Sequence, residues 1–531
     1  MPPTPTPTPP PAPSTPPPGR LETDLAEAAG RPQYRRASLQ LDFAGAARTR
    51  FGGWTGGSGS GVSVTSVAVC APHHAYTTAT DGSLTKWRLQ DLPRDQWPQT
   101  TRNKPKKPPA PPKRKPERVA WRKAENGDKK KGEKGEKGVR KGRKKGAPTP
   151  LTQPGHTGGG LLAVAASPDG RFVATGGADR RLVIWDAATL RPLKTFALHR
   201  GAVTGLAFRR GGSNQLFSAS RDRSIKVWSA AELAYVETLY GHQDDVVDVA
   251  ALGLERCVSV GARDRTARYW KVAEESQLVF RGGGGGSERR APALPSTADP
   301  RSLAHEGSMD CVAMVDDELF VTGSDNGSLA LWSIHKKKAL FVLPRAHGLD
   351  PPLAPADVSS DAEADPTLVP PPQPRWITAL AALPYTDTVL SGSWDGCVRV
   401  WRVGAGRRTL EPVGVLGSSK QTTGDGDGED EAGKTPVATN GERGMVNPES
   451  RQPPILGIIN DIAMFERGER PGQDGLCVVV GSGREIRLGR WKVMKGAKGG
   501  AFVFEVPRLA AQEPVTSGVG GAHEEAGGTR A

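Results

Sequence analysis

Cysteine is scarce in this chain, and its spacing excludes more than its number does. The five in 531 residues are Cys70, Cys257, Cys311, Cys397 and Cys477, and no two stand as C-x-x-C. Zinc ribbons and thioredoxin-like redox sites therefore lack a ligand set. Their apolar, strand-like settings suit buried, reduced thiols. No run approaches 18 uninterrupted apolar residues, which speaks against a membrane-spanning helix. The amino end lacks the charged-then-apolar order of a secretory signal. Neither G-x-S-x-G nor H-E-x-x-H occurs, and His73 and His74 have no matched metal ligands nearby.

One motif imitates chemistry. Residues 428–435 read GEDEAGKT, a formal phosphate-loop match. Such a loop works when backbone amides face the phosphates between a strand and a helix. Here Glu429, Asp430 and Glu431 would set three negative charges in the cradle, and Pro436 follows. The stretch reads as an acidic insert, so no catalytic residue, cofactor, metal or small-molecule substrate is expected.

What the chain has in excess is Gly and Pro, 113 residues together, well above the usual share of roughly an eighth. They cluster, as in the almost wholly Pro, Thr and Ala stretch 1–18, which cannot bury enough apolar surface to offset ordering entropy. Charge clusters too. The formal +15 is matched by residues 101–145, which hold 20 Lys and Arg against five acids. The rest of the chain is neutral overall. That basic tract has Trp121 as its sole aromatic. It suits nuclear import or weak RNA attraction, not base-specific reading.

Repetition decides the fold. Seven tryptophans end short alternating runs: Trp87, Trp185, Trp228, Trp270, Trp332, Trp401 and Trp491. Residues 179–185 read DRRLVIW, 222–228 DRSIKVW and 395–401 DGCVRVW. Six residues before the Trp stands Asp81, Asp179, Asp222, Asp264, Asn326, Asp395 or Glu485, a turn residue that accepts backbone hydrogen bonds. A strand ending in small residues lies upstream, and a histidine often precedes the strand before that, as at His156, His199 and His242. These units resemble WD repeats, four antiparallel strands at about 40–45 residues each. The Trp-to-Trp steps of 43 and 42 residues match the bare repeat, and the steps of 98, 62, 69 and 90 carry extra sequence.

The expectation is an all-β, seven-bladed propeller over 46–508, between disordered tails at 1–45 and 509–531. Disordered inserts are expected at 91–154 (basic), 282–300 (Gly/Pro-rich), 349–374 (Pro-rich) and 418–452 (acidic). Blade 1 reads as the least typical, because no Gly-His precedes Val62.

Beyond the repeat signature stand the runs HRGAVTGLAFRRGGSNQLFSASRDRSIKVW at 199–228, YVETLYGHQDDVVDV at 235–249 and EESQLVF at 274–280. GSLALW at 327–332, AHGL at 346–349 and REIRLGRWKV at 484–493 complete the set. With these the chain resembles the WD-repeat subunit of the U3 small nucleolar ribonucleoprotein. The Pro-rich start and the long inserts depart from that family. The resemblance implies a nuclear, nucleolar protein that binds U3 small nucleolar RNA beside a small RNA-kink-binding protein. It further implies a place among small-subunit processome proteins in ribosomal RNA processing, without catalysis. The fold alone also admits a propeller adaptor of another kind, such as a ubiquitin-ligase substrate receptor or a chromatin scaffold.

Residues after the turn aspartates suggest where binding sits. Arg180, Arg223 and Arg265 fill that slot in blades 2, 3 and 4, whereas Gly82, Gly327 and Gly396 fill it in blades 1, 5 and 6. Arg181, Arg200, Arg221 and Arg263 belong to the same loops. Seven arginines over three adjacent blades form either a crescent for phosphate or acidic protein, or solvated charge partly paired with Asp244 and Asp245. If the top face is not the site, the opposite face around Arg209 and Arg210 is the next candidate.

Overall fold

Short alternating runs separated by tight turns can satisfy their backbone only by pairing with their neighbours, and they do so as antiparallel meanders. The computed structural model describes residues 41–51, 62–70, 73–89, 116–123, 155–211, 213–282, 307–353, 372–418, 455–467, 475–494, 496–497 and 499–508. Among these, seven four-stranded sheets and one two-stranded hairpin form.

From the innermost strand outward, blade 1 is Val64–Cys70, His74–Ala79, Ser83–Arg88 and Glu117–Lys123. Blade 2 is Leu161–Ala166, Phe172–Gly177, Leu182–Asp186 and Pro192–Phe196. Blade 3 is Val203–Phe208, Gln215–Ser220, Ser224–Ser229 and Ala234–Tyr240. Blade 4 is Val246–Ala251, Arg256–Gly261, Thr266–Lys271 and Ser276–Arg281. Blade 5 is Met309–Met314, Leu319–Ser324, Leu329–Ser333 and Lys336–Leu343. Blade 6 is Ala379–Ala382, Thr388–Gly392, Val398–Val403 and Leu410–Val415. Blade 7 joins Ile458–Glu466, Leu476–Gly483 and Gly500–Val506 to Ala47–Phe51, so both ends of the described chain close one sheet. Innermost strands pack blade against blade all the way round, blade 7 on blade 1 included.

The core lies between blades. Tyr269 and Phe280 of blade 4, for example, pack with Met314, Phe320 and Trp332 of blade 5. Each such fully buried side chain contributes roughly 1.5–3 kcal/mol. Second strands such as Gln215–Ser220 and Leu319–Ser324 are buried throughout. Outer strands are solvated on one side and need little apolar content.

That last point corrects the basic insert. Glu117–Lys123 lies inside the expected 91–154 but pairs with Ser83–Arg88, Lys123 opposite Ser83 and Glu117 opposite Arg88. It is the outer strand of blade 1. The amino-terminal tail is also shorter than expected, since Leu41, Phe43 and Ala46 are buried beside Phe504 and Val506. At the Pro-rich insert, Leu349 bridges Pro374 and the Asp350 amide donates to the Gln373 carbonyl. Residues 1–40, 283–300, 354–371, 419–452 (with GEDEAGKT) and 509–531 lie outside the described residues.

Candidate functional site

In blades 2, 3, 4 and 6 the turn carboxylate anchors a four-member chain. Trp185, Trp228, Trp270 and Trp401 donate from Nε1 to the hydroxyls of Thr175, Ser218, Ser259 and Ser391 at 2.7–2.8 Å. Those hydroxyls meet Nε2 of His156, His199, His242 and His347 at 2.7–2.8 Å. Each Nδ1 then lies 2.8–3.0 Å from Asp179, Asp222, Asp264 or Asp395. An ionised carboxylate only accepts, so Nδ1–H donates to it; in the neutral ring Nε2 then accepts from the hydroxyl, and one tautomer serves all four blades.

Burial alone would raise the four carboxyl pKa values. The histidine, together with backbone amides and, for Asp222 and Asp264, nearby hydroxyls, holds all four below the ordinary range. The groups match a hydrolase triad, but the hydroxyls of Ser218, Ser259 and Ser391 are fully buried and already accept from tryptophan. The arrangement fastens the loop entering each blade to the turn between its second and third strands.

Blade 1 keeps the ends of this chain: Trp87 donates to Thr77, and Asp81 accepts from the Ser83 amide. In blade 5, Trp332 donates to Thr322 and Asn326 accepts from the amide and hydroxyl of Ser328. The repeat spacing does not mark His347 as a member, because a Pro-rich stretch sets it 48 residues from Asp395 where His199 and Asp222 are 23 apart. Its Ala-His-Gly context is the one available signal.

The slot after the turn Asp or Asn is left-handed in blades 1 to 6. Gly82, Gly327 and Gly396 have φ of 77°, 74° and 72°, and Arg180, Arg223 and Arg265 have φ of 66°, 67° and 51°. A side chain there costs about 1 kcal/mol that glycine avoids. Three consecutive blades thus hold arginine where the fold alone favours glycine. Arg180, Arg200, Arg221, Arg223, Arg263 and Arg265 are exposed on this top face, and Arg181 is half-buried with Nη1 donating to the Gly155 carbonyl at 3.2 Å. Asp244 accepts from the Arg263 amide, and Asp245 lies 3.8 Å from the Arg221 guanidinium. The two acids therefore offset only part of the positive charge.

A hairpin closes the centre of the same face. Glu485–Ile486 pairs with Gly489–Val493 between the second and third strands of blade 7. This corrects Glu485 and Trp491. The sequence reads them as the seventh turn acid and strand tryptophan, but Gly500–Val506 is the third strand of blade 7. The run EIRLGRW imitates the repeat by alternating and ending in Trp, whereas AFVFEV carries the burial. The side chain of Trp491 lies outside the described residues.

Within the hairpin, Arg487 reaches into the central channel. Its Nη1 donates to the Thr204 carbonyl of blade 3 at 3.0 Å, and its Nη2 lies 3.8 Å from Asp248 of blade 4. Register shifts in the inner strands fall beside Asp248 and Asp461, local bulges of the kind that re-aim side chains. Both acids line a channel cavity of about 170 Å³ with Arg487, Asn460 and Thr378. Burial raises both carboxyl pKa values, Asp248 to about 6, with the Arg487 charge opposing.

The hairpin also reaches the rim on both sides. The Leu488 carbonyl accepts from Arg221, and Lys492 lies 2.6 Å from Asp350 and 3.6 Å from the centre of the Trp394 ring. None of these channel and rim contacts is legible in sequence. Arg209, half of the alternative face that the sequence suggests, is buried and committed to Gly253 and Glu255.

Known proteins match this architecture. The family described as "WD domain, G-beta repeat" matches residues 149–186, 190–229, 234–271 and 369–402. Ribosomal RNA-processing protein 9 of Saccharomyces cerevisiae is 35% identical over 367 residues, 64% of this chain and 57% of that one. U3 small nucleolar RNA-interacting protein 2 of Homo sapiens is 36% identical over 356 residues, 67% of this chain and 57% of that one. The chain therefore spans a little over half the length of these relatives. A solved structure described as "Crystal structure of RRP9 WD40 repeats" is matched over 88% of this chain and 99% of its own, at 30% identity and a TM-score of 0.58. The chain belongs to the family of U3 small nucleolar ribonucleoprotein-associated WD-repeat proteins.

Proposed function

We propose that this chain is a non-catalytic component of the U3 small nucleolar ribonucleoprotein in the nucleus and nucleolus. It binds U3 small nucleolar RNA and associated proteins for ribosomal RNA processing and small-subunit assembly. The names of its relatives, a ribosomal RNA-processing protein and a U3 small nucleolar RNA-interacting protein, support this reading. The observation that carries the site is the arginine in a left-handed slot on three adjacent blades, where three other blades have glycine. Exposed arginine in place of glycine at one slot of three adjacent blades supports work done by the guanidinium, and its fork suits phosphate oxygens. The small RNA-kink-binding protein and other processome proteins are the partners that the family resemblance implies.

A propeller adaptor that takes a peptide into its top mouth is disfavoured, because the hairpin bearing Arg487 already fills that mouth. The test is to cross-link the full chain to RNA in cells and sequence what is recovered. U3 RNA should dominate, with cross-linked peptides from blades 2 to 4. Recovery of unselected RNA, or of none, would return the adaptor reading.

A further inference from the structure

On the rim of blade 3 stands Tyr240, 73% exposed. It ends the outer strand and pairs with Ser224, the residue after Arg223. Two other blades fill the same rim position with cations: Lys123 opposite Ser83 in blade 1, and Arg281 opposite Thr266 in blade 4. Tyr235 of the same strand differs in kind, since its ring packs edge-on against Trp228 and its hydroxyl meets Thr238 at 2.8 Å. Leu198, 51% exposed, lies two residues before Arg200 on the loop entering blade 3. An aromatic ring and an aliphatic side chain are thus presented to solvent within a field of exposed arginines.

We propose that this rim takes an unpaired RNA base, with Tyr240 stacking on it and Arg200 and Arg223 holding the flanking phosphates. The inference rests on the crescent being the RNA surface and adds which form of RNA it reads. A ring can stack on any base but cannot reach one that is paired within a helix. Arginines alone would not distinguish single strand from duplex, because both present phosphates. The positive surroundings of Tyr240 favour a polyanion over an apolar peptide.

Binding of the full chain to a labelled single-stranded RNA and to the fully paired duplex of the same sequence, measured by fluorescence anisotropy across a salt series, tests this. Tyr240→Ala should weaken single-strand binding roughly tenfold, leave duplex binding unchanged and keep the salt slope. Tyr240→Trp should retain single-strand affinity. An Ala variant that loses nothing, or loses both forms equally, overturns the stacking role. So does a loss confined to binding of polyglutamate, which would make the rim a protein contact. In those cases the crescent reading survives if changing Arg180, Arg223 and Arg265 to Glu still weakens both RNAs. If the triple variant binds both as the parent does, the crescent reading fails instead.

Discussion

Arg487, on the hairpin of blade 7, donates from Nη1 to the backbone carbonyl of Thr204 on blade 3, 3.0 Å away across the channel. The same side chain lies 3.8 Å from Asp248 of blade 4 and opposes the charge of Asp461 of blade 7. Three blades that are not all neighbours are thereby joined through one guanidinium, over a pair of half-buried acids.

Changing Arg487 to Met should remove that bridge and leave Asp248 and Asp461 facing each other without a cation. Loss of one partner from a fully buried ion pair costs about 3–5 kcal/mol, and this half-buried pair should lose less. A lower denaturation midpoint at pH 7, with a smaller deficit at pH 5 where the acids can protonate, is the expected result. An unchanged midpoint would mean that the hairpin does not brace the ring.

The channel acids and the turn acids predict opposite pH dependences. Asp248 has its folded pKa raised to about 6, chiefly by burial. Its favourable contribution is full below the unfolded value of about 3.9 and is lost as pH rises through 6. Asp248→Asn should therefore gain relative to the parent as pH goes from 4 to 7, by about 1–3 kcal/mol. Asp179, Asp222, Asp264 and Asp395 have lowered folded pKa values, so their contribution is present above about 3.9 and lost as pH falls through the folded values. Urea titrations at several pH values report both. A stability difference for Asp248→Asn that stays flat or falls over this range would contradict the assignment.

Neighbouring residues of one turn should differ sharply. Asp222 accepts from His199, the Arg200 amide, and the amide and hydroxyl of Ser224. Asp222→Ala should cost about 2–3 kcal/mol by leaving buried donors unpaired. Arg223→Gly should stay within about 1 kcal/mol of the parent, since relief of the left-handed backbone offsets the entropy glycine adds to the unfolded chain. Thermal melts of the two variants compare them directly, and equal destabilisation would sink the distinction.

Deleting residues 101–145 as a block removes the outer strand Glu117–Lys123 with the basic tract. It should lower the melting temperature, whereas a deletion confined to 126–145 should not. Both deletions should flatten the salt dependence of general RNA binding, by about 0.7 in log–log slope for each single-strand phosphate that is no longer neutralised. Equal melting temperatures would argue that this strand contributes nothing to blade 1.

The ring is legible in sequence because blades 1 to 6 each repeat one marker, an Asp or Asn six residues before a Trp, as in Asp179–Trp185 and Asn326–Trp332. Blade 7 misleads for the same reason. EIRLGRW satisfies the local pattern, but the true third strand, AFVFEV, has no tryptophan and depends on pairing with Leu476–Gly483 and Ala47–Phe51. Glu117–Lys123 is hidden by its composition, since four of its seven residues are charged and it sits within a basic tract. The arginine slots are legible as a substitution of Arg for Gly, but the backbone cost that gives them meaning appears only in φ. Asp248, Asp461 and Arg487 meet across 213 and 239 residues of chain, and no local pattern announces such a meeting.

The central claim is that the arginines over blades 2 to 4 hold U3 RNA. The most direct measurement changes Arg180, Arg223 and Arg265 together to Glu in the full chain. Melting temperature and recovered U3 RNA are then compared, in the same preparation, with those of the parent and of Asp222→Ala. A melting temperature near the parent's with a sharp fall in U3 recovery is the predicted result. A folded triple variant that recovers U3 RNA at the parent's level would contradict the account.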